Sequence, residues 1–247
     1  NVKIGLSRGV NLQDPHGHGT AVVGIIGANN ILGTGGTLPI DSPQMNGVVS
    51  GVLDINYTIE ARAFVEAPPG IIERVGLALL SLPPPTVVSF GAFVNDLDLV
   101  GAQIINMSFG EAKCSEIPIT VKIDYIARGF GCVSDEDFDE VTKSYEEIIK
   151  THSDILFVAS AGNENIDAAF SAPANADADN IITVAATNLN DERADFLPGA
   201  SNFGSIVDIA ASGLGVYAPL PKGNEIANFP VNLPQNEKNY TTSFGGT

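Results

Sequence analysis

Ile155-Leu156-Phe157-Val158-Ala159-Ser160-Ala161-Gly162-Asn163-Glu164 joins an apolar run to a polar turn, and the α/β architecture follows from it. Its first half is a short apolar run of the kind that forms a strand buried on both faces of a parallel sheet. The second half turns at a glycine, and Asn163 follows, where a side-chain amide projects past the strand end. A carboxamide N–H at such a point can stabilise the oxyanion of a tetrahedral intermediate. Outward from this stretch, Ile104–Met107, Ile181–Ala186 and Ile206–Ala210 read as further buried strands, and Val2–Leu6 and Thr58–Val65 as strand-like. Helical stretches alternate with them. One runs from His18 to about Ala28, one follows Pro83-Pro84-Pro85 and ends near Val100, and Asp135–Thr151 is amphipathic with acidic residues in its first turn.

Composition agrees with an α/β protein. The 247 residues are 44% hydrophobic and only 17% charged, with 26 Gly and 15 Pro, so many turns connect mostly buried elements. A net charge of −17 with only 12 Lys and Arg argues against nucleic acid as a partner. No segment reaches the roughly 18 consecutive apolar residues of a membrane span. The opening Asn1-Val2-Lys3-Ile4-Gly5-Leu6 has neither an initiator Met nor a signal-peptide pattern, which reads as a chain that begins inside something larger or already processed. Residues 29–51, 111–134 and 219–239 read as insertions, the second with a short helix near Lys122–Arg128. Cys114 and Cys132 form no metal set, and the sequence leaves open one bridge between them or two separate thiols.

Five strings in fixed order carry the chemistry: His16-Gly17-His18-Gly19-Thr20, Ile105-Asn106-Met107-Ser108-Phe109-Gly110, Ser160-Ala161-Gly162-Asn163-Glu164, Ser201-Asn202-Phe203-Gly204 and Thr242-Ser243-Phe244-Gly245. They supply a base, a substrate-facing strand end, an amide donor and a hydroxyl nucleophile, the parts needed to cleave an acyl bond. Their order and spelling resemble the subtilisin-like serine proteases (subtilases). The resemblance implies a three-layer αβα sandwich around a mostly parallel sheet, with residues 1–247 forming the larger part of one catalytic domain. It also implies serine endopeptidase activity on a peptide or protein substrate, in a secreted or extracytoplasmic setting. His18, directly before Gly-Thr, matches the family's base, and Ser243 its nucleophile. Asn163 matches the oxyanion donor, while Ser108-Phe109-Gly110 and Ser160-Ala161-Gly162 match the segments that pair with the substrate backbone. Ser201–Gly204 is assigned packing only, and His16 and His152 no role. No cofactor enters the chemistry, and the resemblance leaves room for structural calcium.

The chain departs from the family in two places. The catalytic Asp of the family precedes the His in an Asp-Ser-Gly or Asp-Thr-Gly string, and neither string occurs here. Asp14 is better suited to capping the turn before His18 than to aligning its imidazole. Thr241 stands where the family has Gly. These features lead to the expectation of a parent truncated at both ends, with Ser243 opening a helix of which only Phe244–Thr247 are present, and of an inactive isolated fragment. A catalytically dead, peptide-binding relative is the alternative. An unrelated doubly wound ligand-binding domain would need a glycine-rich phosphate loop after its first strand, and none is there.

Overall fold

The computed structural model describes residues 3–4, 18–27, 58–59, 86–99, 101–128, 131–219 and 240–247. The helices are α1 (His18–Gly27), α2 (Thr86–Leu99), α3 (Ile119–Arg128) and α4 (Phe138–Thr151). The strands are β1 (Lys3–Ile4), β2 (Thr58–Ile59), β3 (Ile104–Met107), β4 (Glu111–Ala112), β5 (Leu156–Ser160), β6 (Ser171–Ala172), β7 (Ile181–Thr187), β8 (Ile209–Ser212), β9 (Val216–Pro219) and β10 (Tyr240–Phe244). They fall into two compact units, one of residues 1–63 and 215–244, the other of 64–214 and 245–247. Expectations for 29–51, for Asp14 and His16, and for 220–239 lie outside the described residues.

The larger unit is built on a parallel sheet in the order β3-β5-β7-β8, so the fold is α/β as its sequence implies. β3 matches its expected span residue for residue, with Ile105 and Met107 inward and Ile104 outward, the alternation a pleated strand imposes. α2 and α4 cover the sheet. Phe90, Val94 and Leu97 lie on one stripe of α2, and Phe138, Val141, Tyr145 and Ile149 on one stripe of α4. Both sets join Ile105, Met107, Phe157 and Ala159 in a single core. Apolar side chains three and four residues apart share a helix face, which is why these two segments are helical and why this face is buried. α4 starts at Phe138 rather than Asp135, because Ser134 and Asp137 close a turn ahead of it: Ser134 Oγ donates to Asp137 Oδ2 at 2.6 Å. β8 begins at Ile209 rather than Ile206. Ile206 and Val207 pack against Ala161, Ala168 and Ala185, and Asp208 is used to receive the Thr183 N–H at 2.8 Å.

In the smaller unit β1 pairs parallel with β2, and β9 antiparallel with β10. α1 begins at His18, as expected, and packs against β9. The helix expected to open at Ser243 is not what forms. Tyr240–Phe244 is a strand paired to β9, and Gly245-Gly246 immediately after it are poor helix formers.

The segment 111–134 is closed by a Cys114–Cys132 disulfide, settling the pairing left open by the sequence. It contains α3, longer than expected at Ile119–Arg128.

Candidate active site

β3 and β5 are parallel neighbours with Met107 opposite Ala159, so Ser108–Gly110 and Ala161–Asn163 leave the sheet side by side at its carboxyl end. That end is where ligands bind in open parallel sheets. Ser160 Oγ donates to the Phe109 carbonyl at 3.3 Å and ties the two segments together. The Phe109 ring turns into the core, its centroid 5.8 Å from Phe90 and 6.5 Å from Tyr145. Ser108 Oγ accepts from Asn106 Nδ2 at 2.9 Å.

Asn163 is half-buried, and its carboxamide is held by the acceptor end. The Thr247 backbone N–H donates to Asn163 Oδ1 at 3.0 Å, with the Thr247 hydroxyl 3.4 Å from the same oxygen. A backbone N–H needs an acceptor, so the orientation of the amide is fixed by chemistry and not by choice of flip. Among the described residues Asn163 Nδ2 has no hydrogen-bond partner, which leaves a held amide with its two N–H groups available. Thr247 Oγ1 also accepts from Gly162 N–H at 3.0 Å, and Gly246 N–H is fixed to the Gly213 carbonyl at 2.9 Å.

Beneath this turn lies a polar network that joins Glu164 and Asn202, from two of the strings, to Tyr125, which lies outside them. Asn202 is fully buried. Its Oδ1 accepts from Glu164 N–H at 3.0 Å and Ile166 N–H at 3.1 Å. Its Nδ2 donates to the Ala161 carbonyl at 2.9 Å and to Glu164 Oε2 at 2.7 Å. The other carboxylate oxygen of Glu164 accepts from the Tyr125 hydroxyl at 2.5 Å. Gly162, at φ +105°, is the residue this arrangement demands. A Cβ there would come within 2.3 Å of Asn202 Nδ2 and 2.4 Å of Glu164 Oε2. The packing role assigned to Ser201–Gly204 is therefore too narrow, since Asn202 shapes the turn that carries Asn163. Ser201 does pack, its Oγ accepting from Ala186 N–H at 2.9 Å.

His18 and Ser243 belong to the smaller unit. His18 is exposed at the N-terminus of α1, and α1 rests on β9, the strand that pairs with the Ser243 strand. Thr241 faces Ala218 and Phe244 faces Val216, so three residue steps on β10 match two on β9. The extra residue makes a bulge at Thr242-Ser243, a device that redirects a strand locally. His152, given no role by the sequence, is buried at the end of α4, its Nδ1 against the Ile148 carbonyl at 2.8 Å. Among the described residues no cluster of three or more His, Cys, Asp or Glu could hold a metal ion, and no helix is long and apolar enough to cross a membrane.

A profile of the subtilase family matches residues 8–247, a span that contains all five strings. The chain belongs to that family. Subtilisin-like protease 7 of Trichophyton equinum is 42% identical to this subtilase over 69 residues, 28% of the chain and 16% of that protein. Alkaline protease 1 of Emericella nidulans is 51% identical over 64 residues, 26% of the chain and 14% of that protein. The matched stretches are thus a small part of those relatives. The crystal structure of MycP1 with its N-terminal propeptide removed shares the fold, with a TM-score of 0.52 at 17% identity, over 96% of this chain and 64% of that one.

Proposed function

We propose that this subtilase is a serine endopeptidase in which Ser243, His18 and Asn163 act on the peptide carbonyl. Ser243 Oγ attacks the carbonyl carbon as His18 takes the hydroxyl proton. The oxyanion accepts from Asn163 Nδ2 and the Ser243 backbone N–H. Collapse breaks the C–N bond, and His18 returns the proton to the leaving amine. A water, deprotonated by His18, then releases the acyl group and restores Ser243. No residue of this chain is assigned as the acid of the triad, since it holds neither an Asp-Ser-Gly nor an Asp-Thr-Gly string. Ser108–Gly110 and Ser160–Gly162 take the substrate backbone as an added strand, with main-chain hydrogen bonds supplying affinity. The Cys114–Cys132 bridge supports an oxidising, extracytoplasmic compartment.

The observation that carries this reading is the Asn163 amide, held through Oδ1 by Thr247 with its N–H groups available at the end of a parallel strand. A donor held before the reaction starts needs no reorganisation as charge develops, and that is the source of its catalytic value. Thr241 and the absence of an Asp-Ser-Gly or Asp-Thr-Gly string favour the second reading, a peptide-binding relative without catalysis. A fluorophosphonate probe on the full-length protein separates the two. Labelling that disappears in Ser243→Ala supports the enzyme, and an unlabelled, folded protein supports the binder.

A further inference from the structure

The disulfide-closed segment 111–134 touches the Asn163 turn in two ways. Ala112, Ile117 and Val121 form a small core with Ile166, and Tyr125, Cys132 and Phe170 pack around it. Ile166 and Phe170 lie just downstream of Asn163, so this core grips the outgoing side of the turn. From the same helix, α3, the Tyr125 hydroxyl reaches Glu164 Oε1 at 2.5 Å across 39 residues of sequence. Glu164 is buried, and its remaining oxygen is engaged by Asn202, which holds the turn from the other side. A buried carboxylate depends on each donor it has, because water cannot replace a lost one.

We infer that Tyr125 is a positioning residue: through Glu164 it fixes the turn that aims the Asn163 amide, and segment 111–134 is the brace that holds Tyr125 there. The Cys114–Cys132 bridge closes the ends of that brace, with α3 inside the loop it makes. The inference rests on Asn163 being the oxyanion donor. It adds a part outside the five strings, contributed by a stretch that resembles an insertion.

The test is a mutant cycle in the full-length protein, reading kcat and KM on a chromogenic peptide. Tyr125→Phe removes one hydroxyl and keeps the ring. Its kcat should fall roughly ten-fold with KM unchanged, the scale of one hydrogen bond to a charged group transmitted in part. In an Asn163→Ala background the same change should cost nothing more, because there is no amide left to aim. An equal loss in both backgrounds would make Tyr125 merely structural and overturn the inference, as would unchanged kcat in Tyr125→Phe alone. Full kcat in Asn163→Ala would overturn the oxyanion assignment itself, and the two failures are told apart by which variant keeps its activity. Amide hydrogen exchange gives a readout independent of turnover. Tyr125→Phe should speed exchange at Glu164 and Ile166 while β7 stays protected; unchanged exchange at both amides would count against the brace.

Discussion

Two segments leave the same carboxyl end of the parallel sheet, one after β3 and one after β5, and they are held by different physics. Ser108–Gly110 is anchored by an aromatic ring in the core, with Ser108 Oγ accepting from Asn106 and the Phe109 carbonyl accepting from Ser160. Ala161–Asn163 is anchored by a buried network of Asn202, Glu164 and Tyr125, plus the Thr247 clamp. Main chain offered to a substrate needs only a stable strand end. A side-chain amide that must point at developing charge needs its rotamer and backbone both fixed. Buried polar groups specify geometry more narrowly than apolar packing, at the risk that one lost partner leaves others unsatisfied.

The strongest way to break this contrast is Asn163→Ala. It should lower kcat by about 10²–10³ with little change in KM, the scale measured when one oxyanion donor is removed from a subtilisin. Next come the two glycines. Gly162→Ala places a methyl against Asn202, Glu164 and Ser171 at a backbone angle L residues avoid, and should cost about 3 kcal/mol of unfolding free energy in urea titration. In the other segment, Gly110→Ala meets the Ala172 carbonyl at 3.0 Å, and should cost about 1 kcal/mol. Equal losses would erase the distinction between the segments. Replacing both Cys114 and Cys132 with Ser opens a loop with a sequence separation of 18, and should lower stability by about 3 kcal/mol or less. If the brace matters, amides near Glu164 lose exchange protection before those near Phe109.

The smallest effect is a control on α4, outside both segments. Lys150 Nζ donates to Glu146 Oε1 at 2.5 Å on the exposed face of α4. That hydrogen bond holds the Glu146 carboxyl below its ordinary value and raises the Lys150 ammonium above its own, while desolvation opposes each shift. The Glu146 contribution is therefore present above the unfolded carboxyl pKa and lost as pH falls through the folded one. The Lys150 contribution is present below the unfolded ammonium pKa and lost as pH rises through the folded one. Lys150→Ala should flatten the acid limb of stability against pH slightly and leave kcat unchanged, as solvent screening predicts for an exposed pair.

Local pattern was enough for much of this molecule. β3, α2 and the start of α1 follow from apolar spacing and proline punctuation, and the parallel sheet from short apolar runs. Ser243 was not legible in the same way, because strand pairing to β9 outweighs the helix its motif suggests. The partners of Asn202, a residue of the fourth string, and the role of Tyr125, outside all five, are not legible for a different reason. Each acts through partners 36 to 41 residues away, and a single sequence carries no sign of which polar residues meet in the interior. The strand at 206–210 was displaced by the same kind of event, a side chain of Asp208 taken up by a backbone group of Thr183.

Strand order in the parallel sheet is also chain order, β3 to β5 to β7 to β8, so a nascent chain can add each strand to an edge already present. The Asn163 turn cannot be completed on that schedule. Its buried hub, Asn202, emerges from the ribosome about 40 residues later, a delay of roughly 2–8 s at ordinary rates of synthesis. The clamp at Thr247 follows later still. A newly made chain thus acquires its framework first and the fixed orientation of the Asn163 amide last.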